Sequence, residues 1–487
     1  MNTLEILGII GSVIGAFVVF SVTVAAHEWG HFLAARMTGL YIQRFAIGFG
    51  PKVFSFKRNG VEYCINWIPL GGFVQLPQMV PVEMLEGKEA EELPKNLPPV
   101  TPWAKIITAF WGPLFSFLLA LALAIIVYFV GFPERINLQN TVVGYMTKES
   151  AAREVGIQLG DVITRINGRE VKGWAGNADA IKESIIFSEG ETIRVDVERN
   201  GRHLVFYPRP KKDPELENLR ALGIGPADDS VLVGKILPGS PAEQAGLKTE
   251  DRILRINGEK VYNYLHIMDV IEAGEGKLVH LEVQRAGAQI AVDVVPRRGT
   301  YTKADGKTSL TENPMIGIIW MADPKTEKRI THPKPFELIS NSALMVFRTL
   351  HAIPNPKSDI GIKQMSGPLG IFRAIQTLLL DDWRKVLYFG VVLNVNLALL
   401  NLFPLPILDG GHILLSIIEL LKRGPVHAKL IYSVQSAFLF VLVGFALFVT
   451  YRDALRWGRD LQNERKAADS EQMSKTLRFE PHNPPTP

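Results

Sequence analysis

His27, Glu28 and His31 lie in "VAAHEWGHFLAARMTG" (24–39), at the end of a run otherwise apolar enough to span a bilayer. Four positions separate the histidines, so a helix carries both imidazoles on one face, with Glu28 three before His31 near that face. This H-E-x-x-H pattern offers two zinc ligands and a general base that can reach a water on the same ion. The competing reading is two helix-end histidines beside a snorkelling glutamate. Ionisable side chains inside an apolar span are costly and as a rule functional, which favours the metal site.

A hydrolytic zinc needs a third protein ligand and an open position. No H-E-x-x-H-x-x-G-x-x-H continuation follows, so that ligand comes from elsewhere. The richest stretch is "LNVNLALLNLFPLPILDGGHILL" (393–415). Pro404 and Pro406 cannot sit in an intact helix without freeing backbone groups. A break there, followed by Asp409, Gly410 and Gly411, would aim a carboxylate inward rather than at lipid. Imidazole and carboxylate both suit zinc, so the residues alone leave Asp409 and His412 as alternatives.

The chain has 487 residues, 47% of them hydrophobic, and a net charge of +4. That small, dispersed charge gives no sign of nucleic acid as a partner. The single cysteine, Cys64, excludes an intramolecular disulfide framework and any Cys-rich zinc or iron–sulfur site. Segments 6–26, 106–132, 386–402 and 430–451 approach the roughly 20 apolar residues that a span needs. The first could be a signal peptide by position. Its "MNTLE" start lacks a basic residue and no A-x-A site follows, so a retained helix is expected. Within 44–76, "FSFKRNG" and "EYCINWIPLGGFVQL" alternate as strands do. An open sheet edge at membrane depth must be buried in protein or line a cavity, so a hairpin dipping beside the first helix is expected.

Between the second and third spans the chain repeats itself. "SAAREVGIQLGDVITRINGREV" starts at Ser150 and "SPAEQAGLKTEDRILRINGEKV" at Ser240, aligned without a gap. Each unit has a short helical turn closed by Gly156 or Gly246, then a strand stopped at Asn-Gly, the preferred pair for a tight hairpin. "PRPKKDPELEN" is expected to link the two. Segment 82–99 reads as an acidic linker, and 461–487 as a disordered tail.

Both repeats resemble PDZ domains, the second closely. H-E-x-x-H ending a first span, "NLFPLPILDGG" in a later one, and PDZ-like domains between them resemble the site-2 protease family. The four-span layout with tandem repeats is most similar to its bacterial regulator-of-sigma-E branch. The resemblance implies an α-helical polytopic membrane protein with four transmembrane helices, a membrane-associated β-hairpin sheet and two inserted PDZ-like β-rich domains. The expected divisions are 1–136 (spans 6–33 and 104–132, hairpin 44–76), 137–220 and 221–300 for the PDZ-like domains, 301–384 as linker and membrane-surface helices, and 385–460 (third element 385–420, fourth span 430–451).

The resemblance also implies one catalytic Zn2+ held by His27, His31 and Asp409, with Glu28 as the base. Asn401, Pro404, Gly71 and Gly72 fall at positions that engage or support substrate. Ser116 in "FWGPLFSF" stands where the family usually has asparagine. The implied activity is intramembrane proteolysis of a single-span protein already trimmed by another protease, such as an anti-sigma factor or signal-peptide remnant. The PDZ pair would grip a peptide C-terminus or exclude bulky substrates. Lys and Arg in the loops after the first and third spans place those loops in the cytoplasm. The repeats and both termini would then face the periplasm from the inner membrane, with the zinc site toward the cytoplasmic side. A catalytically inactive membrane-anchored PDZ scaffold would keep the repeats and discard the chemistry. A metal transporter would leave Glu28 and the repeats unexplained.

Overall fold

The computed structural model describes residues 3–79, 97, 99–228, 231–302, 308–321, 328–424 and 426–479. The acidic segment 82–99, apart from Leu97 and Pro99, and the last residues 480–487 lie outside the described residues. Two compact units emerge: Met1–Pro133, Ile330–Leu350 and Met365–Leu455 form the first, and Glu134–Arg329, His351–Gln364 and Arg456–Pro487 the second.

The first unit is built on helices α1 (Thr3–Thr38), α2 (Pro102–Val130), α3 (Pro335–Ala352), α4 (Pro368–Asp381), α5 (Trp383–Asn401), α6 (Asp409–Lys422) and the start of α7 (Ala428–Thr476). Among the described residues, four stretches are long and apolar enough to cross a membrane: Leu7–Thr38, Pro102–Val130, Trp383–Asn401 and Lys429–Lys466. Phe129, Phe440, Val441 and Leu447 point outward uncovered, as helices surrounded by lipid rather than water require.

Helix α2 is the hub, packing against α1, α5 and α6. Thr108, Gly112, Ser116, Ala120 and Ala124 recur at every fourth position and are all buried. Such a small-residue stripe lets helices approach closely where no hydrophobic effect drives them together. On α1, a Cβ at Gly30 would stand 2.2 Å from the Trp111 carbonyl oxygen. Helix α4 packs Ile375 against Ala16 and Val386, and α3 packs Leu338 and Ile339 against α2 and α5.

Element 385–420 consists of two helices, α5 and α6, separated at the prolines. Pro404 cannot donate to the Leu400 carbonyl, which takes a bond from Phe403 instead, and α5 stops. Helix α6 restarts at Asp409 with Gly410 tucked under the turn, where a Cβ would lie 2.3 Å from the Leu402 carbonyl oxygen.

After α1 come β1 (Arg44–Arg58) and β2 (Val61–Gln75), joined at Asn59 and Gly60, both left-handed as the tight hairpin turn demands. A bend at Gly48 and Gly50 lets β1 pair twice. Residues 44–47 run antiparallel to 72–75 on one side and align in the same direction with 62–65 on the other. Residues 52–58 pair antiparallel with 61–66. The result is four short segments side by side, with 72–75 at one edge and an outward apolar surface of Phe54, Phe56 and Trp67.

In the second unit the two repeats share one plan. Ser150 and Ser240 each cap a four-residue helix. Arg199 grips buried Asp161 and the Gly156 carbonyl; Arg285 grips buried Asp251 and the Gly246 carbonyl. Each repeat is closed by a strand arriving after the boundary expected from sequence. Ile224–Pro226 pairs with Val143–Met146 in the first, and Ile318–Met321 with Leu232–Ile236 in the second. The divisions at 220 and 300 therefore cut both repeats short. The expected linker contributes a hairpin, Lys211–Asp213 with Leu219–Ala221. Nor is 461–479 a disordered tail: α7 runs to Thr476, and Leu477 and Phe479 are buried. Its polarity resembles disorder, but Ala, Glu, Lys, Arg, Gln and Met are strong helix formers.

Candidate functional site

Three side chains converge where α1, α2 and the break between α5 and α6 meet. His27 Nε2 lies 3.2 Å from Asp409 Oδ2, His31 Nε2 3.3 Å from Asp409 Oδ1, and the two Nε2 atoms 3.3 Å from each other. The histidines are buried on one face of α1, and Asp409 occupies the first turn of α6, where the helix dipole favours a carboxylate.

The far side of each ring fixes its orientation. His31 Nδ1–H donates to the Thr108 carbonyl at 2.8 Å, leaving Nε2 as the free lone pair. His27 Nδ1 lies 3.0 Å from Ser116 Oγ, which orients that ring likewise. Both partners belong to the small-residue stripe of α2. Gly112, one turn from each, makes room for His31: a Cβ there would stand 2.2 Å from Nε2. Neither Thr108 nor Gly112 carried a sequence signal for this role, and Ser116 stood out only as a departure from asparagine.

This donor set suits a zinc ion. Bonds of about 2.0–2.1 Å in a tetrahedron place ligand atoms about 3.3 Å apart, close to the 3.2–3.3 Å from each Nε2 to an Asp409 carboxylate oxygen and between the two Nε2 atoms. Among the described residues, buried Asp409 Oδ2 has no hydrogen-bond partner, as a group reserved for a cation would not. Among the described residues, His27, His31 and Asp409 form the one such cluster. His412 lines the same cleft one turn along α6 but is not part of it.

The cluster opens into a cleft of about 490 Å3 lined also by Glu28, Gly71, Gly72, Val74, Asn401 and Leu408. Glu28 lines the cleft together with Val74 of sheet edge 72–75. Gly72 lets that edge approach α1, its Cβ position being 3.4 Å from Glu28 Cγ. Asn401, the last residue of α5, holds its amide nitrogen 3.4 Å from His27 Nε2. Pro404 does not belong on the cleft; it is exposed in the turn between α5 and α6, where its effect is to end α5. The arrangement can therefore hold a divalent cation with an acid–base carboxylate beside it and the sheet-edge segment 72–75 along the approach.

The model for peptidase family M50 matches residues 15–445. The chain is 29% identical over 465 residues to the regulator of sigma E protease of Salmonella typhi, covering 89% of this chain and 97% of that one. It is 29% identical over 461 residues to regulator of sigma-E protease RseP of Escherichia coli strain K12, covering 88% and 96%. A putative zinc metalloprotease of Vibrio cholerae is 27% identical over 474 residues, covering 90% and 98%.

Proposed function

The chain belongs to peptidase family M50 and is a site-2-type metalloprotease; on that premise we propose that it cuts a peptide bond within or near the transmembrane helix of a single-span protein already trimmed by another protease. The observation that carries this reading is the convergence of His27, His31 and Asp409 beside Glu28 in a cleft bordered by a strand edge. His27 and His31 would hold one zinc ion through Nε2 and Asp409 through its carboxylate. Zinc bound there supplies a Lewis acid for amide hydrolysis.

Glu28 accepts the proton of the attacking water and passes it to the leaving amine. A membrane helix has its backbone bonds satisfied internally, so the substrate must unwind before a carbonyl is exposed. The edge at 72–75, with Gly71 and Gly72, accepts the unwound segment as an added strand. Asn401 holds a substrate carbonyl from the opposite wall. Substrates of the anti-sigma factor or signal-peptide-remnant kind fit this demand, and the names of the Salmonella and Escherichia relatives support the former. In this reading the protein sits in the inner membrane with the repeats and both termini outside and the zinc site toward the cytoplasm. The repeats, read as PDZ-like, exclude untrimmed substrates by bulk or grip a new peptide C-terminus.

The test uses the purified chain in detergent with a trimmed single-span substrate. Glu28→Gln should keep its zinc, by metal analysis, and lose about 10²–10⁴-fold in cleavage rate; chelation should silence the wild type. Normal cleavage by Glu28→Gln would sink the mechanism.

A further inference from the structure

The segment following α7 does not trail away from the protein. Arg478 exchanges both backbone hydrogen bonds with Thr300, each at 2.8 Å, and Thr476 Oγ1 meets the Thr302 backbone at 3.3 Å. Residues 476–479 thus add an antiparallel strand to the hairpin strand Thr300–Thr302. Because strand side chains alternate, Leu477 and Phe479 point together into the second repeat while Arg478 points away. Leu477 is 4% exposed and Phe479 7%, packed with Leu237, Tyr301 and Met315. Glycines clear the floor: a Cβ at Gly299 would stand 2.7 Å from Leu477 Cδ1, and one at Gly317 2.9 Å from Phe479 Cε2.

We propose that this face of the second repeat is a docking site for an extended Leu-x-Phe segment, and that the chain's own Leu477–Phe479 occupies it as a releasable clasp. Three features carry the assignment. Backbone pairing supplies affinity without sequence, and two alternate pockets supply selectivity, which is how strand-addition sites recognise peptides. The occupant comes from a segment distant in sequence from the repeat, so it is a ligand in cis rather than part of the fold's own hairpins. The repeat's core of Val233, Ile253, Ile267 and Leu281 forms a cluster separate from the one that Leu477 and Phe479 join. A free peptide of the same kind therefore competes with the clasp.

The clasp is tested by fluorescence anisotropy with a labelled peptide of residues 474–481 and the complete protein in detergent. A tethered competitor acts at an effective concentration of the order of 1 mM. For sites of about 0.1 mM affinity, the peptide should therefore bind a chain stopping at Thr476 about tenfold more tightly than the intact chain. The intact-length double variant Leu477→Asp, Phe479→Asp should bind it like the truncated chain, with zinc content unchanged. A peptide carrying Asp at both positions should bind neither. Equal binding to intact and truncated chains, no binding to the truncated chain, or indifference to the Asp peptide would each overturn the proposal.

Discussion

A histidine ligates with one nitrogen only when something defines the other. Here α2 does so twice, through the Thr108 carbonyl for His31 and the Ser116 hydroxyl for His27. Removing such a partner typically costs 10–100-fold in metal affinity. Ser116→Ala should therefore weaken zinc binding by about that factor, measured by competition with a chromophoric chelator, and Ser116→Asn should restore part of it. Unchanged affinity in Ser116→Ala would mean that the ring is held by packing alone. The local part of the site was legible because i,i+4 spacing needs no tertiary information. Choosing between Asp409 and His412 was not, since both chemistries suit zinc and only the fold brings the Asp409 oxygens to the two Nε2 atoms. Thr108 was invisible for a different reason: it acts through its carbonyl, which every residue type possesses.

The helices and strands carry consequences that no single ligand does. The start of α6 is wedged under the turn that ends α5, and Gly410 makes the fit possible. Gly410→Ala would push its Cβ into the Leu402 and Phe403 carbonyls and shift Asp409, although residue 410 touches no metal. Zinc content should fall by at least about tenfold while α-helical circular dichroism persists, since a 1 Å misplacement suffices for large losses. The prolines announced this break in the sequence; the sheet topology was not announced, because a bend at Gly48 doubles the pairing of one strand. In the second repeat the decisive contact is Arg285 on Asp251. Burial alone would raise the Asp251 pKa, but the Arg285 hydrogen bonds and charge outweigh it and hold the carboxyl below its ordinary value. The stabilisation is complete above the ordinary aspartate range near pH 4 and is lost as the pH falls through it toward the folded value. Protection factors of Arg252–Ile256, taken relative to intrinsic exchange at each pH, should fall in the wild type from pH 5 to pH 3. In Arg285→Ala the Asp251 carboxylate loses these bonds and keeps that from the Lys248 backbone N–H, so the protein should be less stable at pH 7, and acid should relieve rather than add to that loss. Parallel pH profiles in the two proteins would refute the assignment.

At the scale of the whole chain, the repeats are an insertion whose ends meet. Phe132 leaves the first unit beside the point where Thr331 re-enters, and Thr331 Oγ1 donates to the Phe132 carbonyl at 3.3 Å. His332 Nδ1 lies 2.7 Å from the Tyr128 carbonyl one turn earlier. Every residue lining the zinc cleft belongs to the first unit. A chain in which 134–329 is replaced by a short Gly/Ser linker should therefore keep its zinc and cut a trimmed single-span substrate. Phe132 and Thr331 lie close enough for such a linker to join them. The informative comparison is then with an untrimmed substrate carrying a folded external domain. If bulk in the repeats is what rejects it, the shortened chain should cleave both substrates at similar rates while the complete chain cleaves only the trimmed one. If the repeats instead grip a new chain end, the shortened chain should lose rate on the trimmed substrate, with KM rising and kcat held, and still refuse the untrimmed one. The two roles predict opposite changes in selectivity from one deletion, so a single pair of substrates decides between them.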